Sequence, residues 1–380
     1  MKKIMIIIDT SRASGRKFLT GAERYISTTA DWEIYIQPPD YLQKRNHGFD
    51  LDFPLEKLDG LLIRDAVNTL KITHIDVPKV INDTKRELIP GSSTIIVESQ
   101  KTGKMAAEYF LGLGFKNFAY SGFRGLAWSQ KRSCGYANTL KENGVPKIFE
   151  YKNVFSKKQQ RLTERWKISE WLKQLPRPLC VFACNDDRAV YILEACKIAK
   201  LSVPEEVAVM GVDNDELVCN LSSPSLSSIE LDFERAGFRA AHHLDELIQK
   251  KSENKIIYVS PVEIIKRRST DILAISDENI VSALIFIRNN FHKAIQIVDV
   301  VNATCLSRRE LEKRFKKSLK KTIKDEIDGL RIELIKKKLL NSSQSLYQIA
   351  NELEFTDLEH FSRYFKNATG QPPSHFRRNS

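Results

Sequence analysis

From Met1 to about Lys266, short apolar runs alternate with stretches of helical periodicity. The runs Lys3–Ile8, Trp32–Ile36, Gly60–Ile63, Val77–Ile81 and Thr94–Val97 predict buried strands, as do Asn117–Tyr120, Leu179–Ala183 and Val207–Gly211. Between them the pattern predicts helices over Lys17–Thr29, Thr102–Leu113, Lys131–Asn143, Arg165–Lys173, Asp187–Ala199 and Phe233–Lys250. Gly114 and Gly144 stand where helix C-terminal glycines belong. Nearly continuous apolar strands alternating with helices predict a doubly wound α/β fold, covered on both sheet faces. Ile256–Ile265 reads as a segment crossing between lobes, and a polar stretch, Lys266-Arg267-Arg268-Ser269-Thr270-Asp271, follows it. These patterns place a two-lobed domain at 1–268, a linker at 269–278 and a second domain at 279–380.

In the second domain only helical periodicity remains. Asp277–Asn290 puts Ile280, Ala283, Leu284 and Ile287 on one face, with Ser276 at its start. Near the C-terminus, Ser345-Leu-Tyr-Gln348 and Thr356-Asp-Leu-Glu359 have the spacing of capping boxes, in which a hydroxyl satisfies a free backbone N–H and the side chain three residues on reaches back. They open two short helices. Leu346, Ile349, Ala350 and Leu353 line one face of the first, and Leu358, Phe361 and Phe365 one face of the second. Glu359, His360, Arg363 and Lys366 are left facing outward. A near-repeat lies fifty residues earlier: Leu311-Glu-Lys-Arg-Phe315-Lys316 matches Phe361-Ser-Arg-Tyr-Phe365-Lys366, and Ser307-Arg-Arg-Glu310 introduces it. Ile295–Asn302 precedes this copy, and Thr322–Leu340 forms one long helix between the copies. Two helix-turn-helix units on one rod can enter successive major-groove segments about one turn apart.

Charge agrees with that reading. The chain carries a formal +12, and from Asp277 onward it has 19 Lys and Arg against 13 Asp and Glu, so excess charge is densest where the repeats lie. In the first unit Arg308, Arg309, Glu312, Lys313 and Lys316 face outward, and in the second His360, Arg363 and Lys366 do so. Any of these can read base edges, hold phosphate, or simply be solvated. None of the six cysteines forms a C-x-x-C pair, so no metal site is expected and reduced thiols are the default. No apolar run reaches the about 18 residues of a membrane span, and Lys3–Ile8, closed by Asp9, reads as a strand rather than a signal or anchor.

The α/β domain supplies candidate ligand chemistry at its strand ends, where such folds bind ligands. Asp9 (with Ser14 and Arg16 beyond it), Arg64-Asp65, Glu98, Asn185-Asp186-Asp187 and Asp213-Asn214-Asp215 follow predicted strands. Trp128 and Arg132 open a helix. Carboxylates and guanidinium groups bond sugar hydroxyls, and an aromatic ring covers the apolar C–H face. The candidate sugar-binding set is Asp9, Arg16, Asp65, Glu98, Trp128, Arg132, Asp186, Asp213 and Asn214. The competing assignment makes each of these a helix cap or an ordinary loop polar.

Residues 181–218, VFACNDDRAVYILEACKIAKLSVPEEVAVMGVDNDELV, resemble the second half of a LacI/GalR-type, periplasmic-binding-protein-like core. The resemblance implies that Asp186, Asp213 and Arg132 line the sugar cleft. That family carries its DNA-binding helices ahead of the core, whereas this chain opens directly on a strand, so DNA binding is expected in the C-terminal domain. There the ending Phe361-x-Arg363-x-Phe365-Lys366-x-x-x-Gly370-x-x-Pro373-x-x-Phe376-Arg377 resembles the AraC/XylS DNA-binding domain, over about residues 278–378. Two departures stand out: Glu354 and Lys320 occupy positions where the AraC family has glycine. A non-glycine residue with positive φ there costs roughly 1 kcal/mol.

The resemblance implies a cytoplasmic transcription regulator, an activator acting as a homodimer on promoter DNA with RNA polymerase. Its effector is a monosaccharide, a pentose such as D-xylose, and no cofactor is implied. Repression, or response to another sugar, is the alternative. An α/β enzyme acting on a sugar is a different class, but the chain has no G-x-G-x-x-G, Walker A, G-x-S-x-G or H-E-x-x-H motif. An interaction module with an empty cleft is the third possibility.

Overall fold

The computed structural model describes residues 1–36, 57–64, 75–82, 88–153, 158–271, 277–341 and 344–378. It divides into two compact units, Met1–Ile272 and Leu273–Ser380. Among its described residues the first holds two six-stranded sheets. One contains β1 (Lys2–Ile8), β2 (Trp32–Ile36), β3 (Gly60–Arg64), β4 (Lys79–Asn82), β5 (Ser93–Val97) and β11 (Ile256–Val259), in the order β11-β5-β4-β3-β1-β2. The other contains β6 (Asn117–Phe123), β7 (Ile148–Asn153), β8 (Leu179–Ala183), β9 (Val207–Val212), β10 (Ser227–Leu231) and β12 (Pro261–Ile265), in the order β12-β10-β9-β8-β6-β7. Among the described residues all pairings are parallel except β10 with β12. Parallel pairing follows from the helices between strands: α1 (Ala13–Thr29), α2 (Ser99–Gly112), α3 (Ala127–Glu142), α4 (Lys158–Lys173), α5 (Asp186–Ala199), α6 (Glu216–Leu221) and α7 (Phe233–Ile248). Strands buried on both faces, such as Leu179–Ala183, explain the unbroken apolar runs.

Differences from the sequence reading have local causes. Strands β7 and β10 escaped it, since IFEYKN mixes polar residues throughout and SSIEL opens on two serines. These serines are fully buried in side-chain hydrogen bonds. Segment 256–265 is two strands, one in each sheet, broken at Ser260. Helices α1, α2, α3 and α4 start earlier than their periodicity, because their first turns carry small or polar residues, apart from Trp128 in α3. Gly114 and Gly144 do adopt positive φ, at 83° and 78°. Ser269 and Thr270, assigned to the linker from the sequence, are buried against β9 and β10: the Ser269 hydroxyl donates to Val209 O at 2.6 Å and that of Thr270 to Ser227 Oγ at 2.7 Å.

The chain crosses between the two sheets at Glu98, Asp232 and Ser260, and the three crossings are tied together. Ser260 N donates to Asp232 Oδ1 (2.6 Å), Asp232 N to Ser260 O (3.0 Å), and the Ser260 hydroxyl to Glu98 Oε2 (2.7 Å).

The second unit is helical among its described residues: α8 (Glu278–Asn290), α9 (Ile297–Asn302), α10 (Arg308–Leu319), α11 (Ile323–Asn341), α12 (Leu346–Glu352), α13 (Leu358–Thr369) and α14 (Pro373–Arg378). Ile280, Ala283, Leu284 and Ile287 are buried on α8, whose N-cap is Asp277; Ser276 lies outside the described residues. Ser345 and Gln348 form the reciprocal box expected of them. The second box does not form. The cap of α13 is Asp357, one residue later, which accepts from His360 N at 2.6 Å because a carboxylate outcompetes the Thr356 hydroxyl for the orphan N–H groups. At Ser307 the cap bond to Glu310 N forms, but Glu310 turns to Arg314. Leu358 is 39% exposed, so Phe361 and Phe365 are the fully buried anchors of α13, with Tyr364 packed beside them.

Candidate functional site

A cavity of about 170 Å³ lies between the two sheets. From the first lobe it takes Arg12, Ala13 and Ser14 at the start of α1, Arg64, Asn82 and Val97 at the ends of β3, β4 and β5, and Phe233 at the start of α7. From the second it takes Trp128 and Arg132 of α3, Asn185, Asp186 and Asp187 where β8 meets α5, and Asp213, Asp215 and Val218 beyond β9. The volume is well below the about 300–1,000 Å³ of drug-sized pockets and near the about 150 Å³ that encloses one benzene, which suits a single small ring.

Each lobe contributes a guanidinium stacked on an aromatic ring. Arg132 Cζ lies 5.1 Å from the Trp128 centroid and Arg64 Cζ 4.6 Å from that of Phe233. Arg132 is nearly fully buried; it donates to Cys184 O, and its Nη2 stands 3.3 Å from Asp213 Oδ1. Asp213 has φ 99° and Asn214 φ 45°, a turn that carries the Asp213 carboxylate towards Arg132. Asp186 packs against β9 at Gly211, where a Cβ would stand 2.2 Å from Asp186 Oδ1 and would push the carboxylate aside. It accepts from Ser228 Oγ at 2.6 Å and from Asp215 N at 2.8 Å. Burial, reinforced by the nearby Asp213 charge, pushes the Asp186 carboxyl up to about 8. Burial also raises Asp213, opposed by Arg132 and Arg64.

Ion pairs between the lobes surround the cavity. Arg12 meets Asp187 at 2.6 Å, Arg16 meets Asp215 at 3.1 Å, and the Lys17 ammonium bonds Glu230 at 2.8 Å together with the carbonyls of Asp213 and Asn214. Among the sequence candidates, Trp128, Arg132, Asp186 and Asp213 line the cavity. Arg16 sits outside it on Asp215. Asp9 accepts from Ser11 N in its own loop, and Glu98 belongs to the tied crossings. Asn214 is buried, with its amide on Glu230. Asp65 lies outside the described residues. Sequence reasoning left out Arg12, Asn82 and Phe233. Ending β4 at Asn82 rather than Ile81 would have found the second, and no local pattern marks Phe233.

In the second unit Arg309, Lys313, Lys316, His360, Arg363 and Lys366 are exposed on α10 and α13. Arg308 and Glu312 pair with each other at 3.0 Å, one turn apart. His360 contacts Thr356 Oγ1 through Nδ1 (3.2 Å) and the Phe355 ring edge-on. Arg309 and Arg363 have no hydrogen-bond or ion-pair partner among the described residues. Lys320 and Glu354 both adopt the left-handed conformation, φ 59° and 56°. Among the described residues no group of His, Cys, Asp or Glu could hold a metal, and no helix is long and apolar enough to cross a membrane.

Known proteins resemble both units. The periplasmic binding protein-like domain family matches residues 107–270, and the helix-turn-helix domain family residues 300–379. The xylose operon regulatory protein of Haemophilus influenzae is 28% identical over 402 residues, covering 99% of this chain and 98% of its own length. That of Escherichia coli K12 is 27% identical over 390 residues, covering 99% and 96%. The solved structure of the xylose-binding transcription activator xylR matches with a TM-score of 0.79 at 26% identity, over 100% of this chain and 98% of that one. A LacI family regulator from Enterococcus faecium with bound ribose shares the fold of the first unit, with a TM-score of 0.56 at 21% identity over 71% of this chain and 98% of its own.

Proposed function

We propose that this chain, an AraC-type transcription regulator with a periplasmic-binding-protein-like sugar sensor, takes a pentose, D-xylose first among them, into the cavity between its lobes and activates a pentose operon in response. The cavity carries the reading. It is sized for one ring, flanked by Trp128 and Phe233, and polar through Arg64, Arg132, Asp186 and Asp213. A ring seated there places its C–H face on an aromatic side chain and its hydroxyls among carboxylates and guanidinium groups. The relatives named for xylose support the choice of sugar.

The sugar acts by stabilising the closed sensor, and it can do so only through tighter binding to the closed than to the open form. Both lobes supply cavity residues, so a ligand touching both has that difference in affinity. Closure alters how two cytoplasmic sensors pair. The homodimer then presents α10 and α13 of each chain to promoter half-sites, within reach of RNA polymerase. Arg309 and Arg363 are the foremost DNA contacts, with Arg308, Lys313, Lys316, His360 and Lys366 around them.

A thermal-shift panel of pentoses and hexoses on the purified chain, followed by electrophoretic shift of duplexes enriched from a random pool, tests this. D-xylose is expected to raise the melting temperature most and to change the shift. No response to any sugar would remove the sensor reading and leave DNA binding standing.

A further inference from the structure

The two helix-turn-helix units share the rod α11. Ile332, Ile335 and Leu339 of that rod belong to the core of the second unit, which also contains Ile349, Phe361 and Phe365, whereas Ile323 and Ile327 are buried outside that core. Arg331 stands at the changeover and is 7% exposed. Its Nη1 donates to Phe291 O at 3.1 Å and to Lys293 O, both in the connection that leads from α8 into α9 and the first helix-turn-helix unit. Its Nη2 donates to Leu353 O at 2.6 Å, at the end of α12 in the second unit. The guanidinium also lies over Phe355, 4.7 Å from the ring centroid. Beside it, Glu354 reaches from the second helix-turn-helix unit towards the first and accepts from Ala294 N at 2.9 Å. A buried guanidinium is costly to desolvate, and an aliphatic side chain of similar length would fill the same space. What the arginine supplies is direction: a rigid fork whose donors fit the carbonyls of both units in one arrangement only.

We propose that Arg331 and Glu354 form a clamp that fixes the two recognition helices of one chain relative to each other and so sets the spacing of the two major-groove segments they enter within one half-site. The clamp rests on the reading of α10 and α13 as DNA-recognition helices. One base pair inserted between those two segments shifts one of them by about 3.4 Å and turns it by about 35°. A clamped pair of units cannot follow that displacement, and a pair joined by the rod alone can bend to follow it. Glu354 thus has a task that glycine, expected at its position, could not perform.

The test uses the full chain and a duplex enriched from a random pool by the wild type, with the two protected segments of each half-site mapped by footprinting. Affinity is measured for that duplex and for versions with one base pair inserted or removed between the two segments of each half-site. The wild type is expected to lose about tenfold or more with either change. Arg331→Met is expected to lose less than about threefold. Glu354→Ala, a surface change that leaves the buried core intact, is expected to shift the ratio the same way by a smaller amount. A mere loss of folded protein lowers the affinities for all spacings together and leaves their ratio unchanged. Wild-type ratios in both variants overturn the clamp alone. A wild-type chain that enriches no duplex overturns the DNA reading, and the clamp falls with it.

Discussion

Replacing Asp186 by Asn should flatten the pH dependence of the sensor's stability. Asp186 is buried beside Asp213, and its carboxyl is pushed up to about 8 from an ordinary 3.8. Between those values the folded chain keeps a proton that the unfolded chain has released, so raising the pH favours unfolding. Stability contributed by the neutral carboxyl is present below about pH 4 and is lost as pH rises through about 8. One proton corresponds to about 1.4 kcal/mol per pH unit, hence at most about 4 kcal/mol between pH 5 and 8. Coupling to Asp213 spreads the change over both groups and lowers the observed figure. Asparagine can still accept from Asp215 N with its oxygen and can donate to Ser228 Oγ with its amide, and it has no proton to lose. Denaturant titrations from pH 5.0 to 8.5, followed by tryptophan emission, read this unit selectively, since all four tryptophans (Trp32, Trp128, Trp166 and Trp171) lie in the sensor. Asp186→Asn is expected to remove up to about one proton's worth of slope. An unchanged slope would show that Asp186 is ionised in the folded chain at neutral pH, and the account of its burial would be wrong.

Trp128→Ala should weaken pentose binding by about 1–3 kcal/mol, about five- to hundredfold by calorimetry, with little change in melting temperature because Trp128 is only partly buried. A variant that binds as tightly as the wild type would show that the ring does not stack on the sugar. In anisotropy titrations on an enriched duplex, Arg363→Ala and Arg309→Ala should each cost about 1–3 kcal/mol. Arg308→Ala should cost less, since its guanidinium is already held by Glu312; equal losses at all three positions would refute the distinction. Lys320→Gly should stabilise the helical unit by about 1 kcal/mol through relief of positive φ, measured by circular dichroism on denaturation. Glu354→Gly should come out near zero, because the same relief is offset by the lost bond to Ala294 N.

Most of the parallel strands were legible because burial on both faces leaves only apolar residues in runs such as Leu179–Ala183. Where a strand buys its burial with serine hydroxyls, as Ser227 and Ser228 do in β10, the apolar signal is missing although the strand is as central as its neighbours. The rule that ligands gather at strand ends brought Asp186 and Asp213 into view. It could not say which of several adjacent polar residues turns inward. Asp213 and Asp215 line the cavity, and Asn214 between them turns its amide to Glu230, because successive positive φ values rotate the backbone by an amount that spacing does not encode. Glu98 shows the same limit at longer range: its role as a tie between crossings needs Ser260, 162 positions away. Glu354 lies between these cases. Resemblance marks it as a departure from glycine, and the positive φ agrees that glycine would be easier there. The reason for the departure lies sixty residues upstream at Ala294 and beside the buried Arg331, so it becomes visible only when both helix-turn-helix units are folded on one rod. A residue that strains its own turn while bonding the neighbouring unit is one whose cost is local and whose benefit is relational, and sequence patterns report only the first.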